Sequence, residues 1–209
     1  MLKHDIQMEK GERKNVYKVY NKIGRWFAEN RYADAVEQAY LNDILKNLPP
    51  DAKVLDVGCG DGKPILEYFI KHNIDVLGVD ASEQMIGLAK NNFPVTRFLL
   101  KDMRKLNLNE KYDVIIAWHS FFHLPADDQP DMFRIFKQHL KPNGILLFTS
   151  GTERGEVWGI NDGENLFHAS LNTTEYQNLL QSNQFEVLKH KVNDPDCGGA
   201  NVWMAQYKP

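Results

Sequence analysis

The sequence predicts an α/β fold, a mostly parallel sheet with helices on both faces. Two observations predict it. Apolar runs at 53–57, 75–79, 95–100, 113–118 and 144–150 alternate with amphipathic stretches near 62–72, 82–92 and 127–140. Strands that are continuously apolar, rather than apolar at every second position, are those covered on both faces, as in a parallel sheet. The first run also ends in glycines at alternate positions before a helical pattern begins, which marks a strand-to-helix crossover.

Two helices precede the first strand. Val16, Val19, Tyr20, Ile23, Trp26 and Phe27 fall on one helical face, and Val36, Tyr40, Leu41, Ile44, Leu45 and Leu48 repeat at the same spacing until Pro49-Pro50 stops them. Residues 54–64 then read Val-Leu-Asp-Val-Gly-Cys-Gly-Asp-Gly-Lys-Pro, so that Asp56, Gly58, Gly60 and Gly62 form D-x-G-x-G-x-G. Glycines so placed let the backbone turn through φ > 0 and approach a ligand that a Cβ would repel. Ile65, Leu66, Phe69 and Ile70 continue at helical spacing. The second strand ends at Asp80, one βαβ unit after Asp56. A carboxylate there reaches the ribose hydroxyls of an adenosine cofactor; the plainer alternative is a cap on the helix opening at Ser82.

The chain ends in a different pattern. Val157 to Ile160 and Asn165 to Ala169 flank Asn161-Asp162-Gly163, and residues 151–171 read as an inserted hairpin. Asn172-Thr-Thr-Glu175 forms a capping box for a helix carrying Tyr176, Leu179 and Leu180. Phe185 to Val192 and Asn201 to Tyr207 read as two further strands, and the turn-rich linker Asn193 to Gly199 suits an antiparallel pair.

A dinucleotide site wants G-x-G-x-x-G, and Gly58-x-Gly60-x-x-Lys63 departs from it. The pattern instead resembles motif I of the class I S-adenosylmethionine-dependent methyltransferases. Val76 to Asp80 resembles their second motif, Asp102-Met103 after 95–100 their adenine contact, and Tyr112 to His119 their fourth strand. Leu140-Lys-Pro-Asn-Gly144 with Ile145 to Thr149 is similar to their fifth-strand turn, with Asn143 in place of a glycine. The resemblance implies a single domain over 1–209 with a Rossmann-like, seven-stranded, mostly parallel sheet and an antiparallel C-terminal strand. Within it, 12–48 would form a helical lid, 51–150 the cofactor core, 151–171 the inserted hairpin and 172–209 the terminal helix and strand pair. The implied cofactor is S-adenosyl-L-methionine. Asp56 and the loop Gly58, Cys59, Gly60 and Gly62 would hold its methionine end, and Asp80, Ala81 and Ser82 the ribose. Asp102 and Met103 would hold the adenine, with Ala117 and Trp118 beside the sulfonium. Aromatic faces attract cations, which adds Tyr20 and Trp26.

Composition narrows the partners. At 209 residues the chain is one domain of ordinary size, and its formal charge of −3 with a pI near 6.2 supplies no basic field for nucleic acid. No apolar run reaches the roughly 18 residues of a membrane span. Met1 to Lys14 is polar and mixed in charge, unlike a signal peptide, so a cytoplasmic setting is expected. Cys59 and Cys197 match no zinc spacing and are expected to be free thiols, and no metal is expected.

Transfer of a methyl group requires alignment above all, and positioning can supply roughly 7–11 kcal/mol. A base is useful only where the acceptor has a proton to lose. The expected sources are His119, His123 and His168, since imidazole titrates near neutrality. His119 follows the fourth strand, as a base or as a cap on the next turn. His123, before Leu124-Pro125, is a base or holds its turn through a backbone carbonyl. His168 lies in the hairpin. His4, His72, His139 and His190 are expected to be solvated. The segment after the fourth strand has no N/D-P-P-Y and no glutamate-rich loop, and the chain has no Pro-Cys nucleophile, which favours a small-molecule acceptor. An NAD-dependent dehydrogenase and a non-catalytic S-adenosylmethionine-binding protein are the alternatives.

Overall fold

The computed structural model describes residues 13–30 and 36–209. The polar start Met1 to Lys14, apart from Arg13 and Lys14, lies outside them, as does His4. Two helices, α1 (Tyr17–Asn30) and α2 (Gln38–Leu45), precede β1 (Lys53–Val57), α3 (Ile65–Lys71), β2 (Asp75–Asp80), α4 (Glu83–Asn92) and β3 (Arg97–Leu100). β4 (Tyr112–Ala117), α5 (Gln129–His139) and β5 (Leu140–Ser150) complete the parallel part. A hairpin of β6 (Gly155–Asn161) and β7 (Glu164–Ser170), then α6 (Thr173–Ser182), β8 (Phe185–Asp194) and β9 (Ala200–Tyr207), follow.

Seven strands form one sheet in the order β3-β2-β1-β4-β5-β9-β8. Neighbours from β3 to β5 are parallel, and β9 runs antiparallel to both β5 and β8. The central strands are apolar on both sides because both sides are covered. On one face Leu55, Ile115, Phe121, Phe133, Phe148, Tyr176 and Trp203 pack with Val19 and Ile23 of α1. On the other, Val54, Ile116, Phe69 and Met204 pack with Tyr40, Leu41 and Ile44 of α2. The order reverses between β1 and β4, and their carboxyl ends open a crevice there.

Boundaries shift where turn residues intervene. α3 begins at Ile65 rather than 62, because Gly62 has φ of 84° and Pro64 takes the cap position. β3 begins at Arg97, after the turn at Pro94. β5 begins earlier than expected: Leu140 pairs with Tyr112, and a register shift then absorbs Lys141 to Gly144, with Asn143 left-handed at φ of 63°. Asp162 and Gly163, both at positive φ, close the β6–β7 hairpin as a primed two-residue turn does. The capping box is present, with Asn172 Oδ1 accepting from Glu175 N and Glu175 Oε2 accepting from Asn172 N. Two histidines correct the sequence expectation. His139 is fully buried, its Nε2 accepting from Leu108 N and its Nδ1 facing Ile135 O, and His190 is half-buried and stacked on Trp203. A histidine in the last turn of an amphipathic helix reads as solvated until the loop that covers it is known.

Gly62 tests the loop as a folding element. A Cβ on it would lie 2.9 Å from the Phe93 ring, on a backbone at φ of 84°. Gly62→Ala is expected to lower the unfolding free energy in urea by about 2–5 kcal/mol, from left-handed strain and overpacking together. A loss below about 0.5 kcal/mol would mean that neither the left-handed backbone nor the Phe93 contact strains an alanine there.

Candidate active site

The glycine loop is stitched to the second strand. Gly58 N and Cys59 N both donate to Val79 O, at 2.7 and 3.0 Å, and Gly60 N donates to Asp80 Oδ2 at 3.0 Å. Gly58, at φ of 81°, could not be another residue: its Cβ would sit 2.2 Å from that of Ser120, whose hydroxyl donates to Val57 O. At Gly60, φ of 56°, nothing lies within 4 Å of a Cβ position, and the residue faces a cavity of about 610 Å³ at the carboxyl end of the sheet. Asp80 also accepts from Ser82 N through Oδ1 at 2.8 Å. Burial pushes its carboxyl up from the usual range, against the pull of the Ser82, Gly60 and Ala81 N–H groups.

The cavity gathers most of the expected residues. Gly58, Gly60, Asp80, Ala81, Asp102, Met103, Trp118, Tyr20, Trp26, His119, His123 and His168 all line it. Asp56, Cys59, Gly62, Ser82 and Ala117 do not: they are buried behind it. Ser82 is the N-cap of α4, its hydroxyl accepting from Met85 N and donating to Asn21 of α1. The helix is thus capped by Ser82, and Asp80 orders the turn before it.

Asp102 is engaged more fully than its resemblance implies. Arg104 donates to both of its oxygens through Nε and Nη2, and Arg104 N adds a bond to Oδ1. Burial pushes the Asp102 carboxyl up, but these bonds outweigh it and the net shift is down. Arg104 also donates to Asp128 and to Lys14 O, so it ties the approach to α1 to the turn after β3.

Three segments distant in sequence meet at His123. Its Nδ1 donates to Phe167 O at 2.8 Å, which leaves Nε2 to accept from the Tyr20 hydroxyl at 2.9 Å. The carbonyl belongs to the hairpin rather than to the histidine's own turn. Burial, with the neighbouring His168 and His119, lowers its pKa to about 3 despite the Phe167 bond. Both ring nitrogens of His123 are thus engaged within the fold. His168, tilted over it at 4.8 Å, is also lowered by burial. His119 differs from both: it is exposed, sits at φ of 47°, and donates its backbone N–H to Thr149 Oγ1 at 2.9 Å.

Helix α1 and the hairpin roof the cavity. Arg13 pairs with Glu156, and Lys22 with Glu164 at 2.8 Å. Sequence reasoning missed Phe27, Phe122, Asn161 and Leu166, which also line it. Phe27 was legible as a neighbour of Tyr20 on one helical face; the others carried no local signal.

A sheet whose order reverses at a glycine loop, with a carboxylate on the next strand, defines an open α/β protein, a class whose ligand crevices lie at that switch point. Residues 27–191 match the family model described as "Methyltransferase domain", and the chain belongs to that family. It is 28% identical over 116 residues to the dTDP-3-amino-3,4,6-trideoxy-alpha-D-glucopyranose N,N-dimethyltransferase of Streptomyces venezuelae, covering 54% of this chain and 48% of that protein. The chain thus spans about half the length of this relative. Among solved structures it resembles magnesium protoporphyrin IX methyltransferase from Synechocystis PCC 6803 with bound S-adenosylmethionine, with a TM-score of 0.73, 18% identity and coverage of 96% and 99%. A second is the Burkholderia thailandensis 1,6-didemethyltoxoflavin-N1-methyltransferase, at TM-score 0.72, 18% identity and coverage of 93% and 88%. At such identities the likeness is one of fold. The family match and the antiparallel β9 beside β5 favour the methyltransferase over the dehydrogenase reading. Among the described residues no helix is long and apolar enough to cross a membrane.

His123 gives the structure a pH signature. A histidine whose folded-state pKa lies below its unfolded value near 6.5 binds fewer protons folded than unfolded. Its stabilising effect is complete above that value and lost as the pH falls towards about 3. The thermal midpoint is expected to fall between about pH 6.5 and pH 5, and to fall less in His123→Gln, where His168 and His190, also lowered by burial, keep part of the trend. Identical slopes would show that His123 is not held neutral.

Proposed function

We propose that this chain is an S-adenosyl-L-methionine-dependent methyltransferase acting on a small-molecule acceptor. One observation carries the reading: a single cavity holds the bare backbone of Gly58 and Gly60 and the Asp80 carboxylate together with a wall of aromatic rings from α1, the segment after β4, and the hairpin. The residues fit the cofactor. The open space at Gly60 is the room a Cβ would take, and the Asp80 oxygens, with N–H bonds from Gly60, Ser82 and Ala81, keep a lone pair for a ribose hydroxyl. When bound, S-adenosylmethionine supplies an electrophilic methyl group on a cationic sulfur.

The chain's own part is to orient and to exclude water. The roof of α1 and hairpin encloses the acceptor, and Tyr20, aligned by His123, fixes one side of it. His123 does not store a proton, because charging it would bury a cation against a neighbouring imidazole. His119, exposed at the cavity, is the group we assign to take the acceptor's proton. The formal charge of −3 supports a small molecule over nucleic acid.

Two measurements test this reading. By calorimetry, S-adenosylmethionine and S-adenosylhomocysteine are expected to bind and NAD not to, with Asp80→Ala costing about 1–3 kcal/mol of affinity; equal affinities for NAD and S-adenosylmethionine would refute the assignment. His119→Asn is expected to lower turnover about 10²-fold or more with cofactor affinity nearly unchanged. Activity retained within a few-fold would leave catalysis to alignment alone, and joint loss of binding and turnover would make His119 a scaffold.

A further inference from the structure

The acceptor side of the cavity is a continuous wall of rings. Phe27 meets Tyr20 at 5.2 Å between centroids, Tyr20 meets His123 at 5.4 Å, and His123 meets His168 at 4.8 Å. His168 meets Phe122 at 5.3 Å, Phe122 meets His119 at 5.8 Å, and His119 meets Trp118 at 5.4 Å. Every member lines the cavity. Among the described residues, helix α1, the segment 118–124 and the hairpin contribute no carboxylate, lysine or arginine to that lining. The cations of the cavity lining, Lys14, Lys101 and Arg104, lie outside these three segments, in a groove they share with Lys105 beside the turn after β3, and the carboxylate of Glu37 enters from the start of α2.

This distribution selects a chemistry. A phosphate or carboxylate placed against the wall would shed its hydration with no counter-charge from the three wall segments to replace it. A protonated amine must first give up its proton, and with it the charge that ring faces attract. A flat π-system loses little on leaving water, and each offset or edge contact with a ring adds to what area burial gives. We propose that the methyl acceptor is an uncharged, planar aromatic or heteroaromatic molecule laid along the Phe27 to Trp118 wall; its ring-borne nitrogen or oxygen would bond the methyl carbon as the carbon–sulfur bond breaks, the sulfur keeping that electron pair and the acceptor's proton passing to His119. The proposal rests on the methyltransferase reading and names the substrate class of the same site.

A matched set of probes tests it on protein loaded with S-adenosylhomocysteine, whose own binding is titrated first. 2-Naphthol is planar and neutral, decahydro-2-naphthol has the same skeleton without π-electrons, and 6-hydroxy-2-naphthoate adds a carboxylate. By calorimetry 2-naphthol is expected to bind about tenfold more tightly than either of the others. Phe122→Leu, which keeps an apolar side chain but removes the ring, is expected to weaken 2-naphthol about fivefold and to leave S-adenosylhomocysteine and decahydro-2-naphthol unchanged. Equal or tighter binding of the saturated or the anionic probe would overturn the proposal, as would no binding of 2-naphthol to the loaded protein. Failure of S-adenosylhomocysteine itself to bind would instead strike the methyltransferase reading.

Discussion

The hydrogen bonds of His123 hold the roof of the cavity together. Tyr20 lies 103 positions before it and Phe167 lies 44 after it, and each contributes one partner to the same imidazole. Phe167 is fully buried, so its carbonyl has no water to turn to if the imidazole is lost. The ring must stay neutral and in one tautomer to serve both partners, and burial enforces the neutral form. That is why a residue with the right chemistry for a base is used as a tie. Tyr20 of α1 and Phe167 of the hairpin are joined through it.

The floor of the cavity depends on a similar economy of groups. Asp80 gives one oxygen to Gly60 N and the other to Ser82 N, so the carboxylate shapes the glycine loop and the start of α4 at once. Its two readings from sequence, ribose contact and helix cap, compete less than they first suggest. Ser82 does the capping, Asp80 holds the turn, and the remaining lone pairs face the cavity side. Ser120 packs into the space left by the missing Cβ of Gly58 and bonds the end of β1, so the segment after β4 is keyed to the loop.

Asp102 shows where a motif match and its surroundings diverge. The residue stands where the resemblance places an adenine contact, and it lines the cavity. Its carboxylate is already gripped by Arg104, which also reaches Asp128 and Lys14 O. The turn after β3 is thereby tied to the segment leading into α1, and a ligand under that turn lies under the same brace.

The order of strands and helices, the glycine loop and the carboxylate after β2 were legible in the sequence because each depends on neighbours close along the chain. Apolar runs, helical spacing, a capping box at Asn172 and a D-G turn at Asp162-Gly163 are local statements, and the structure contains each of them. The buried state of His139, the duty of His123 and the aromatic wall from Phe27 to Trp118 were not, since they arise where segments far apart in sequence fold against one another. A histidine's pKa depends on what covers it, and a cavity's chemistry on which segments meet to line it. Both are set by three-dimensional proximity, which local periodicity does not encode.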